Sequence, residues 1–179
     1  MGLPDYFKIE PGTSVIWGEA GASGVTKTLS LNALAAGSAY MGAYADLGAQ
    51  FEEEYLVQLL IESGTAPTAG GSIDLYLACS QDTSNFPGGV SGSDGAWPAD
   101  GDEDQWAKQL GSPVCCLIAT NDGNVIQRQA PVIWRPSGRY VAPVVDNNWD
   151  QAVRSEGTAT DNDSRVILVP RRLLIQDAA

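Results

Sequence analysis

Three carboxylates stand at alternate positions in Asp100-Gly101-Asp102-Glu103-Asp104, the spacing with which a calcium-binding loop opens. The rest of that motif is missing, because Gln105 stands where the sharp turn needs glycine and Gly111 where the bidentate glutamate belongs. The stretch therefore reads as a solvated acidic loop. Asp146-Asn-Asn-Trp-Asp150 and Asp161-Asn-Asp-Ser164 are equally oxygen-rich and read as turns, for which Asn and Asp are common residues. A carboxylate pair could hydrolyse a glycosidic bond, one group as acid and the other as base or nucleophile. Among 22 Asp and Glu, no spacing singles such a pair out.

The chain has no histidine, which removes Ser-His-Asp and Cys-His nucleophile pairs and His-ligated zinc. It has no G-x-S-x-G, no phosphate loop and no dinucleotide fingerprint. Gly18-Glu-Ala-Gly21-Ala-Ser-Gly24 lacks the Lys-Ser/Thr ending of a phosphate loop and reads as a turn. Cys79 and the adjacent Cys115-Cys116 do not make a zinc-ribbon spacing and read as small hydrophobes on buried strands. No catalytic residue, cofactor or metal site is expected, and the chain is read as not an enzyme.

A net charge of -12, with the ten basic residues scattered, argues against nucleic acid as a partner, since polyphosphate binding needs clustered Lys and Arg. The N-terminus has no basic region leading into an apolar one, so export is not expected, and Tyr6 stands where a myristoylation signal needs Ser or Thr. The longest apolar runs, Leu56 to Ile61 and Val166 to Val169, fall far short of the roughly 20 residues of a membrane span. No membrane partner is expected.

The elements that would position any site read as strands. Gly and Pro total 30 and fall between short apolar segments, the rhythm of an all-β domain. The clearest strand is Glu54 to Ser63, with Tyr55, Val57, Leu59 and Ile61 on one face. Glu54, Gln58 and Glu62 lie on the other, which Leu56 and Leu60 interrupt. That pattern suits a sandwich sheet partly covered on its outer side. After a turn at Gly64 to Gly71, Ile73, Leu75, Leu77 and Cys79 alternate with Ser72, Asp74, Tyr76 and Ser80 in a second strand.

Further strands are expected at Thr13 to Trp17, Val25 to Leu31, Val114 to Ala119, Val125 to Trp134, Arg139 to Val145 and Arg165 to Ile175, with Pro170 at an edge or a break. The Ala-rich Leu29 to Gly48 reads as a short helical turn near Leu31 to Ala36 followed by a strand. Residues 1–12 read as an N-terminal arm and 13–179 as a single antiparallel β-sandwich with a long loop at about 80–106. A loop of that length is functional or mobile in most domains, and Phe86 and Trp97 would pin it against its own domain or a neighbour. Trp17 and Trp134, on strands, read as core or inter-subunit residues. Trp97, Trp106 and Trp149, in or beside loops, are candidates for contact with a partner protein or for stacking on sugar.

Leu34-Ala-Ala-Gly-Ser38, Ala45-Asp-Leu-Gly48, Glu54-Tyr-Leu-Val57, Gly64-Thr-Ala-Pro-Thr-Ala-Gly-Gly71, Ile73-Asp-Leu-Tyr-Leu77, Ser80-Gln-Asp82 and Trp97-Pro98 follow in an order that resembles a group of tailed-bacteriophage virion proteins. The similarity spans about residues 29 to 98 and brings no catalytic motif with it. It implies a jelly-roll-like β-sandwich built into the particle as a capsid decoration (cement) protein or another minor structural component. The implied partners are the major capsid protein or other virion proteins, and further copies of the chain, with a trimer expected from quasi-threefold lattice positions. The implied location is the virion, at the outer head surface, after synthesis in the host cytoplasm. The arm with Phe7, the Phe86 to Trp106 loop and Trp149 would supply the interface. Two alternatives stand beside this reading: a head-fibre, tail or adhesion module binding host-surface glycan, and a carbohydrate-active enzyme with paired carboxylates.

Overall fold

The computed structural model describes residues 6–97 and 108–176, and the side chains of 12–97 and 108–172. Thirteen strands follow one another among the described residues: β1 Tyr6–Pro11, β2 Val15–Gly18, β3 Lys27–Thr28, β4 Ser38–Met41, β5 Ala45–Asp46, β6 Glu54–Ser63, β7 Ser72–Ser80, β8 Gly95–Trp97, β9 Cys115–Ile118, β10 Val125–Arg128, β11 Val132–Trp134, β12 Tyr140–Asn148 and β13 Arg165–Gln176. They form two sheets. Sheet A runs β10-β6-β13-β2-β3, with β11 also on β6 and β1 on β13. Sheet B runs β8-β4-β12-β7-β9, with β5 also on β12.

The fold is an all-β sandwich with jelly-roll topology. Its eight main strands in chain order are β2, β4, β6, β7, β9, β10 with β11, β12 and β13. Sheet A contains the first, eighth, third and sixth of these in spatial order, and sheet B the second, seventh, fourth and fifth. That is the double Greek-key order of a jelly roll. All pairings are antiparallel except β2 with β3.

β6 and β7 occupy the spans expected from alternation. Tyr55, Val57, Leu59 and Ile61 of β6 and Ile73 and Leu75 of β7 are buried between the sheets with Trp17, Val141, Val145, Val166 and Leu168. Burying each such side chain contributes about 1.5–3 kcal/mol. The three cysteines are free thiols, Cys79 on β7 and Cys115 and Cys116 on β9.

Several expectations are corrected. Leu31 to Ala36 contains no helical turn; Ala33 takes a left-handed φ of 60° and Gly37 one of 66°. The fully buried Asn147 side chain donates to the carbonyls of Leu34 (3.2 Å), Ala35 (3.1 Å) and Gln151 (3.1 Å), holding an irregular segment that keeps Leu31 and Leu34 in the core. Asp146, Asn147 and Asn148, expected in a turn, end β12.

Val125 to Trp134 is two strands, since three residues, Gln129 to Pro131, oppose only Gln58 and Leu59 of β6, a one-residue bulge at a proline. Pro170 lies inside a continuous β13. Its carbonyl accepts from Gly12 N–H at 3.1 Å, so its missing donor points into the gap between β1 and β2, where no ladder bond is lost. Residues 6–11 of the expected arm pair with Arg171–Gln176 as a two-stranded ribbon. The long loop contains the edge strand β8, which pairs with β4.

Candidate functional site

Among the described residues, both faces of sheet B are covered and only one face of sheet A is. On the outer side of sheet B, Ala39, Met41, Ala78, Ala142 and Val144 form a floor on which Phe86, Val90 and Trp97 are buried, with Tyr44, Tyr76 and Tyr140 alongside. Tyr44 packs against Phe86 (centroids 6.1 Å) and edge-on to Tyr140 (5.6 Å), while Tyr76 stacks on Trp97 at 6.5 Å. Trp97 Nε1 donates to the Gly88 carbonyl at 2.7 Å. Gly92 makes this closure possible: its φ is +73°, and a Cβ there would lie 2.8 Å from Phe86 Cε2.

Phe86, Trp97 and Trp149 are 9%, 3% and 2% exposed. Within the protomer they fill its own interior, and Phe86 and Trp97 pin the loop against its own domain, one of the two anchorages expected of them. Trp17 is fully buried and Trp134 half-buried against the same core. The Phe7 side chain, Trp106 and the Asp100 to Asp104 stretch lie outside the described residues.

Beside the aromatic layer, a row crosses sheet B in the order Trp97, Ala39, Asp146, Asp74, Cys116. Asn148 Nδ2 donates to Asp146 Oδ2 at 3.0 Å and reaches Asp74 Oδ2 at 3.4 Å. Burial, then Asp74, pushes the Cys116 thiol up to about 11, so it is not a nucleophile near neutral pH. Burial pushes the Tyr76 hydroxyl up as well, with Asp74, Asp146 and Cys116 adding to it.

At one end of the sandwich a second polar group is satisfied internally. Glu62 accepts from Arg154 Nη1 (2.8 Å) and from Asp163 N–H (2.9 Å), and Arg154 Nε bonds Glu156 at 2.6 Å. Nearby, Glu19 accepts from Asn32 N–H at 2.5 Å. Neither arrangement pairs an acid with a base across an open cleft. Among the described residues, no three Cys, Asp or Glu side chains are grouped to hold a metal ion, and no helix is long and apolar enough to cross a membrane.

Two surfaces are open among the described residues. One is a groove of about 470 Å³ at the edge where β9 and β10 meet, lined by Leu117, Ile118, Val125 and Gln127 among others, with Ile118 and Val125 exposed. The other is the outer face of sheet A. By register and burial, Leu56, Gln58 and Leu60 of β6, Ile16 of β2, Ile167 and Val169 of β13 and Ile133 of β11 point away from the core. Ile133 is 57% exposed. Alternation along β6 already places Leu56 and Leu60 on this face. The arginines around them became visible only with the strand register.

No protein-family model and no curated protein matches the chain.

Proposed function

We propose that this chain is a non-enzymatic structural protein of a tailed-bacteriophage virion, of the decoration type, which docks on the outer head lattice and stabilises it. One observation carries the reading: among the described residues, the jelly roll seals one sheet beneath its own aromatic loop and leaves the outer face of the other uncovered, with Ile133 exposed on its edge strand β11. A largely apolar sheet face that no described residue covers suits docking on another protein. The resemblance of residues 29 to 98 to virion proteins points the same way. So does an acidic chain, which does not compete for packaged DNA.

The glycan-binding alternative is weakened because Trp97 and Trp149, two of the three tryptophans that would stack on sugar, are buried. Association of copies into a homo-oligomer, a trimer at quasi-threefold positions, belongs to the same proposal. The test is location and copy number in the native particle, by labelling and quantitative mass spectrometry. Copies spread over the head in proportion to the major capsid protein are expected. A few copies confined to the tail would overturn the decoration assignment.

A further inference from the structure

The outer face of sheet A is patterned in charge as well as apolar. Across the strands, Ile133, Leu56 and Val169 make one row, and Gln58, Ile167 and Ile16 the next. Beyond them on one side lies the row Arg128, Leu60, Arg165. At the other end Arg135 and Arg171 close on Glu54, at 2.7 and 2.9 Å. Four of the chain's ten cationic residues thus frame one apolar patch in a molecule of net charge -12. The two framing rows are six residues apart along β6, about 20 Å.

The frame carries surplus positive charge. Arg135 and Arg171 share the single carboxylate of Glu54, Arg165 pairs with Asp163 at 3.1 Å, and among the described residues Arg128 has no ion-pair partner, so four arginines face two carboxylates. Leu56, Leu60, Ile16, Ile167 and Val169 belong to neither core cluster and are half-buried on this face, where Ile133 is exposed.

We propose that this face docks on a protein surface that is apolar at its centre and lined with carboxylates at its two ends. Resting on the reading above, that surface belongs to the head shell. A second copy is a poor occupant, because pairing this face with itself about a two-fold axis sets arginine rows against arginine rows. A polyphosphate is a poor one too, since the arginines are separated by an apolar strip in place of a continuous cationic track. A carboxylate-edged protein surface satisfies both parts: burial of the strip supplies adhesion, and the arginines set register and exclude other partners.

The test is co-sedimentation of the full-length chain with purified phage heads that lack it. Ile133→Asp and Arg128→Glu alter exposed positions on the face, and Ile118→Asp alters an equally exposed position outside it. Unchanged circular dichroism and melting certify folding. Ile133→Asp and Arg128→Glu are expected to bind about tenfold more weakly, with Ile118→Asp like the wild type and wild-type binding weakened by salt. If the wild type binds and both face variants bind equally well, the face is the wrong one and the virion reading stands. If the wild type does not bind heads, the virion reading fails and takes this occupant with it. Self-association lost in Ile133→Asp while head binding persists would make a second copy the occupant and overturn the assignment.

Discussion

Asp74 and Asp146 are direct cross-strand partners on β7 and β12, two carboxylates side by side on the outer face of sheet B. Asn148 bridges them from the Asp146 side, and Asp74 Oδ1 is buried without a hydrogen-bond partner. Like charges directly opposite each other destabilise a sheet by roughly 0.2–1 kcal/mol. Asp74→Asn is therefore expected to raise the melting temperature by about 1–3 °C. It should also speed alkylation of Cys116 at mildly alkaline pH, since burial and then Asp74 hold that thiol at about 11. A lower melting temperature with unchanged alkylation would show that the pair is not repulsive.

Glu62 is 8% exposed and depends on Arg154 for its charge partner. Removing one member of a largely buried pair leaves an uncompensated charge. Arg154→Ala is expected to cost about 3 kcal/mol in denaturant unfolding. Adding Glu62→Gln should restore part of that loss, because a neutral amide needs no counter-ion. Equal losses in the single and double variants would mean that the arginine acts through packing alone.

Burial pushes the Glu19 carboxyl above its ordinary value of 4.5, opposed by backbone donors at Asn32 and Leu31 and reinforced by Asp94. The native chain then holds a proton at Glu19 more readily than the unfolded chain does. The stability linked to that proton is full below about pH 4.5 and is lost as pH rises through the raised folded value. Glu19→Gln lacks this loss. Its stability relative to the wild type should grow between about pH 4 and about pH 7 in parallel urea titrations. A constant difference across that range would refute the assignment.

Phe86 pins the covering loop through Tyr44 and through the close approach of Gly92. Phe86→Ala is expected to cost about 3 kcal/mol and to make residues 81–94 the first site of limited proteolysis. Cleavage starting elsewhere in the variant would show that the loop is held by other contacts.

Local alternation made β6 and β7 legible, because a strand with one fully buried face repeats apolar residues at every second position. It failed at β12, where Asp146-Asn-Asn carries turn-forming residues yet ends a central strand. There Asn147 spends its side chain on the carbonyls of Leu34, Ala35 and Gln151. The Ala-rich segment failed for the same reason, since the contact that shapes it comes from more than a hundred residues away. Phe86 and Trp97 read as pinning the long loop against its own domain or a neighbour, and composition did not choose between the two. Whether a loop folds back on a sheet is not written in the loop's own composition.

The amino-acid sequence by itself determined what this protein lacks and how its strands are faced. Without histidine the common nucleophile pairs are unavailable, and the period of two put Leu56 and Leu60 opposite the core residues of β6. Tertiary structure alone decided which sheet is capped by the aromatic loop and which keeps an outer face that no described residue covers. It also set Arg128 and Arg165 on either side of Leu60. The physical reason is register: periodicity tells a residue which face it occupies, whereas its neighbours across the sheet come from strands distant in the chain.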